Sequence, residues 1–238
     1  MMPEPLDALN AFLTWYRDLY GTRWFIDEEE ENTPARPVEA SAKLPAPEVP
    51  VAPTPVGGLE DYHQHIKECQ ICPLGGTRTN FVFGSGNPEA DIMFIGEAPG
   101  RDEDLQGLPF VGRSGQLLTR ILEMAGLKRE DVYIANILKC RPPNNRDPQP
   151  DEIESCSPYL HRQIELVHPK LLVALGRISA HKLLNTETPL TRLRGQIHRY
   201  RGTPLVVTFH PAYVLRNQNA MADAVGDVKG IVNLIKTL

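Results

Sequence analysis

Three side chains suited to acid–base or hydrogen-bond chemistry stand where apolar runs end. They are Glu97 in "MFIGEAPG", Asn136 in "VYIAN" and His210 in "VVTFHPAY". A carboxylate can position or deprotonate water, a carboxamide donates and accepts at once, and an imidazole can donate to a developing negative charge. A second acid, Glu103, follows in "RDEDLQGLPF", and the same loop ends in the aromatic Phe110. Any one of these residues alone reads more readily as a strand-end cap or a solvated loop charge. Their recurrence at successive strand ends points to one shared crevice.

A second constellation is the four cysteines. Cys69 and Cys72 form a C-x-x-C turn in "ECQICPL", while Cys140 in "KCRPP" and Cys156 in "ESCSPY" are widely separated. Four thiolates suit either structural zinc or an iron–sulfur cluster. A zinc ribbon usually carries two C-x-x-C knuckles, so the split second pair leans towards iron–sulfur. Either group would pin the chain before the first strand to the loop beside Asn136, a supporting role.

These residues need a scaffold. Apolar runs at 91–96, 132–138, 171–176 and 205–209 alternate with helical patterns at 114–126, 151–167, 178–184 and 220–238. Alternation of this kind predicts an α/β fold, with a parallel sheet covered by helices on both faces. Right-handed crossovers place all strand C-termini on one edge, where ligands bind in open sheets. Glu97, Asn136 and His210 would meet there.

Residues 1–26 carry an amphipathic helical pattern, with Leu6, Leu9, Phe12, Leu13, Tyr16, Leu19 and Tyr20 at helical spacing. Residues 27–58 are acidic and rich in Pro and Ala, the composition of a disordered linker, and the folded domain is expected over 59–238. The net charge of -5 is misleading, because residues 1–58 hold ten acids and four bases while the remainder is nearly neutral. The folded part is therefore free to carry a basic face. No apolar run reaches the roughly 18 residues of a membrane helix, and the N-terminus lacks a signal-peptide pattern, so a cytoplasmic location is expected. A phosphate-binding G-x-x-x-x-G-K-[ST] loop is absent, which weakens a nucleotide-hydrolase reading. A non-catalytic iron–sulfur or zinc protein would account for the cysteines but not for the strand-end residues.

The combination "GEAPGRDEDLQGLPFVGRSGQLL", "IANILKCRPPNNRDPQPDEIESCSPYL", "PKLLVALG" and "TFHPAYVLR" resembles the family-four, iron–sulfur uracil-DNA glycosylases. The resemblance covers about 59–238 and includes all four cysteines. It implies a three-layer α/β/α fold around a four-stranded parallel sheet. It also implies a DNA-repair hydrolase that flips uracil out of DNA and cleaves its N-glycosidic bond, the first step of base excision repair. A superfamily member acting on another damaged base is the alternative. Implied partners are uracil-containing DNA, single- or double-stranded, with the protein a monomer and its leader free to meet another protein.

By the same resemblance, Glu97, Ala98 and Pro99 line the uracil pocket, and Ala98 stands where many members have Gly. Glu97, Glu103 and His210 are the catalytic set, with both acids assigned to water. Phe110 stacks on the base, Asn136 reads its edge, and His210 contacts the carbonyl between the ring nitrogens. Asn145 lies near the site. Leu215 or Arg216 fills the gap left in DNA. Cys69, Cys72, Cys140 and Cys156 hold a [4Fe-4S] cluster. Arg113, Lys139, Arg141 and Arg146 are candidates for phosphate contacts, and Asp102 and Asp104 are expected to face solvent or cap the next turn.

Overall fold

The computed structural model describes residues 57–238. The expected helix at 1–26, and all but the last two residues of the expected linker, lie outside that span. The apolar runs become strands: β2 (Ile92–Gly96), β3 (Tyr133–Asn136) and β4 (Leu171–Leu175), buried throughout, and β6 (Thr203–Thr208), buried from Leu205 onward. Such runs suit parallel strands, which are covered on both faces. Two short strands, β1 (Ser85–Gly86) and β5 (His198–Tyr200), add antiparallel edges, giving the order β1-β3-β2-β4-β6-β5. The four central strands are mutually parallel, as expected, and the sheet has six strands rather than four.

Alternate residues of each strand feed opposite cores. Met93, Ile95, Leu172, Ala174, Leu205 and Val207 pack with Leu160, Ile164 and Val167 of α4 (Pro150–Val167) and Ala180 and Leu183 of α5 (Arg177–Leu184). Ile92, Phe94, Leu171, Val173 and Val206 pack on the other face. Their partners are Leu118, Ile121 and Leu122 of α3 (Arg113–Met124) and Val225, Val228 and Ile231 of α8 (Met221–Ile235). This is a three-layer α/β/α sandwich.

The remaining helices are short. They are α1 (Leu59–Ile66), α2 (Arg101–Gln106), α6 (Leu190–Leu193) and α7 (Pro211–Arg216). Among the described residues, no helix is long and apolar enough to cross a membrane. Parallel register sets Gly96 opposite Asn136, so the ends of β2 and β3 meet side by side.

Candidate active site

Close approach defines the pocket. A Cβ at Gly96 would fall on the Asn136 amide oxygen and on the Phe110 ring, so the strand end, the carboxamide and the aromatic edge share one small volume. Phe110 sits at φ +52°, a left-handed conformation unfavourable for a bulky residue. Its surroundings hold it there. Arg129 Nη2 donates to the Pro109 carbonyl at 2.5 Å, and the Val111 and Gly112 N–H groups donate to Glu103 Oε1, each at 2.9 Å. Gly115 is needed on α3 because a Cβ there would collide with the Phe110 backbone.

Glu103 is thus a clamp on the loop. Its other oxygen, Oε2, accepts from Gly100 N at 3.1 Å and caps α2. The carboxylate faces backbone donors on both sides, which suits positioning Phe110 better than holding water. Asp104, expected to face solvent or cap the next turn, is buried, and its Oδ1 accepts from Thr79 N at 2.8 Å and Asn80 N at 3.4 Å. Asp102 is exposed.

Asn136 is 1% exposed, and its Oδ1 finds no donor among the described residues. A buried acceptor left unpaired is costly, and this one, beside Gly96 and the Phe110 ring, is a candidate partner for a ligand's donor. Behind it, the Lys139 ammonium donates to the Asn136 carbonyl at 2.7 Å. Lys139 is wholly buried and so does not serve as a phosphate contact. Arg146 is committed to Glu152 by paired hydrogen bonds of 2.9 and 2.5 Å. Arg113 is exposed at the start of α3, and Arg141 donates through Nε to Asn145 Oδ1 at 2.7 Å. Asn145 itself is exposed, at φ +53°.

His210 caps α7. Its Nδ1 accepts from Ala212 N at 3.1 Å. Burial, helped by the charge of Arg216, pushes the imidazole down to about 4. A neutral ring whose Nδ1 is an acceptor carries its proton on Nε2, which makes the other edge a donor. The ring lies 5.7 Å from that of Phe110. Gly176, at φ +87°, passes so close that a Cβ would stand 2.7 Å from His210 Cβ.

Glu97 is half-buried, and its carboxylate makes no side-chain hydrogen bond among the described residues. Burial pushes it up to about 7; Asp147 raises it further and Arg177 opposes the rise. Pro99 is buried and Ala98 packs partly on the α4-side core. Leu215 and Arg216 are exposed on α7. Gly96, Phe110, Asn136 and His210 are therefore brought together, Glu97 borders them, and Glu103 acts from behind.

The four cysteine sulfurs line one cavity with Ile71, Phe81 and Tyr159. Donors point at two of them: Tyr159 OH to Cys69 Sγ at 3.1 Å and Arg78 Nη1 to Cys140 Sγ at 3.6 Å. Arg78 also holds the carbonyls of Cys69 and Lys67. Burial pushes the thiols of Cys140 and Cys156 up to about 11 and about 12. Among the described residues, no three His, Cys, Asp or Glu side chains stand at the spacing of a single metal ion. The four cysteines share that cavity, and four thiols are a soft ligand set of the kind that holds zinc or an iron–sulfur cluster.

Sequence reasoning missed the buried Lys139, the Arg129 clamp and the structural use of Glu103. For Glu103 a signal exists: it lies three residues after Gly100, at the third position of α2, where a side chain reaches back to the cap.

Residues 83–229 match the family model of the uracil DNA glycosylase superfamily. The type-4 uracil-DNA glycosylase of Archaeoglobus fulgidus is 46% identical over 184 residues, covering 74% of this chain and 92% of that protein. The type-4 enzyme of Saccharolobus solfataricus is 50% identical over 161 residues, covering 64% and 74%. The type-5 uracil-DNA glycosylase of Thermus thermophilus is 31% identical over 157 residues, covering 52% and 71%. With the higher identities falling to the type-4 enzymes and the family model spanning the sheet and its crevice, this chain belongs to the uracil DNA glycosylase superfamily, in its type-4 branch.

Proposed function

We propose that this chain excises uracil from DNA by hydrolysing the bond between the base and the sugar. The observation that carries the reading is the unpaired Asn136 Oδ1, buried against the Phe110 ring. An extruded uracil presents an N3–H donor beside an O4 acceptor. The Asn136 carboxamide offers the matching acceptor and donor, and the Phe110 ring offers an apolar face. Cytosine presents the reverse polarity and would leave buried groups unpaired.

Cleavage leaves positive charge on the sugar and negative charge on the departing base. The neutral His210 donates through Nε2–H to the uracil carbonyl between the ring nitrogens, where that negative charge gathers. Glu97, adjusted to about 7, holds water near the sugar carbon. As the C1′–N1 bond breaks, its electron pair leaves with uracil. The water oxygen bonds to C1′, and its proton passes to Glu97. Glu103 keeps Phe110 in place and takes no proton. Cys69, Cys72, Cys140 and Cys156 are the residues that would hold a [4Fe-4S] cluster, which would supply structural support to the loop beside Asn136.

The test uses a uracil-containing oligonucleotide beside a thymine control, with abasic sites revealed by alkali. Strand breaks at uracil alone are expected, with Asn136→Asp about 10²–10³ slower, the range seen when one aimed hydrogen-bonding group is lost. An Asn136→Asp enzyme within twofold of the parent would overturn the assignment.

A further inference from the structure

The α7 segment carries more than His210. One turn beyond the imidazole, Tyr213 is 41% exposed on the same short helix, its N–H donating to the His210 carbonyl at 2.9 Å. The ring is not loose. It stacks on Phe209, with centroids 5.1 Å apart and planes 24° apart, and its hydroxyl accepts from Asn217 Nδ2 at 2.8 Å. Phe209 in turn lies beneath the Arg194 guanidinium, 3.7 Å from ring centre to Cζ. Arg194 is only 6% exposed. It grips Asp227 through two hydrogen bonds of 3.0 Å, and Asp227 also accepts from Thr208 Oγ1 at 2.5 Å.

Core groups thus brace a surface aromatic. The contacts run from a buried ion pair, through a cation–π contact, to a tyrosine at the mouth of the crevice. Among the described residues, Phe209 is the only ring stacked on Tyr213. A rigid, partly exposed ring needs little ordering when it meets a planar partner. The positive charge of Arg216, exposed on the same helix, suits a phosphate backbone passing alongside.

We infer that Tyr213 is a stacking platform for the nucleobase flanking the extruded nucleotide, held in place by the Arg194–Phe209 contact. The inference rests on the uracil reading above and adds a second base-binding surface to it. Stacking of this kind is sequence-tolerant, because every base has a π-face.

The test measures affinity by fluorescence anisotropy, using an oligonucleotide whose 2′-fluoro-2′-deoxyuridine resists cleavage. Two versions are compared, one with ordinary neighbouring bases and one with abasic spacers on both sides of the uracil. Tyr213→Ala is expected to weaken binding to the ordinary version at least tenfold, and Tyr213→Phe by less than threefold. On the spacer version, Tyr213→Ala and wild type should agree within twofold, which also shows the variant folded. Equal weakening on both versions, or none on the ordinary one, would overturn the platform. Wild-type protein indifferent to uracil against thymine would overturn the uracil reading, and this inference with it; that outcome is read without any variant.

Discussion

Glu97→Gln should yield a protein that is less active yet more stable at alkaline pH. Burial lifts the Glu97 carboxyl from 4.5 to about 7. Between those values the native state keeps a proton that the unfolded chain has released. Stability therefore falls as pH rises through that window and stays reduced above it. At 1.36 kcal/mol per pH unit the gap is about 3 kcal/mol, and partial exposure of the side chain reduces it to about 1–3 kcal/mol. Glutamine keeps the shape without the charge, so it escapes this penalty. At roughly 2–4 °C per kcal/mol for a domain of this size, the variant should melt about 3–10 °C above wild type at pH 8. At pH 5, where the native carboxyl is protonated and the unfolded one has only just passed its own pKa of 4.5, the difference should shrink below about 1 kcal/mol. Thermal and urea unfolding at the two pH values measure this, alongside excision rates. A difference that does not grow from pH 5 to pH 8 would refute the reasoning, as would a variant with full activity. Wild-type kcat/KM should climb as Glu97 ionises and level off above about pH 7, whereas His210, pushed down to about 4, stays neutral throughout and adds no second limb.

On the proposed mechanism, His210→Ala removes the donor to the departing base. It should lower kcat about 10²–10³-fold with little change in KM, measured by single-turnover excision. Glu103→Ala orphans the backbone donors of Gly100, Val111 and Gly112, and urea unfolding should show a loss of about 2–5 kcal/mol. Glu103→Gln keeps an acceptor and should lose less.

The four parallel strands are legible because each carries a short apolar run bounded by turn or helical patterns, as a strand covered on both faces requires. β1 and β5 are not legible: "SG" and "HRY" are too short to carry a pattern, and pairing alone makes them strands. Asn136 and His210 stand out because polar residues directly after such runs must lie at the sheet edge. Lys139 and Asp104 are misread for the opposite reason. A charged residue reads as solvated unless its partners are known, and those partners, the Asn136 carbonyl and the Thr79 and Asn80 amides, are contacts made by the folded chain. Tyr213 is visible in the sequence, but its bracing by Arg194 and Asp227 joins three separate segments and leaves no local trace.

The cysteine quartet has a topological consequence. Cys69 lies before the sheet begins and Cys156 lies within α4, and every pocket residue except His210 falls between them. A group bound to all four would act as a clasp, closing a loop that contains Glu97, Phe110 and Asn136. Closing a loop of roughly 90 residues removes about 4 kcal/mol of chain entropy from the unfolded state. The clasp would therefore favour the half of the pocket proposed to recognise the base, while the half proposed to assist its departure, around His210, would depend on packing alone.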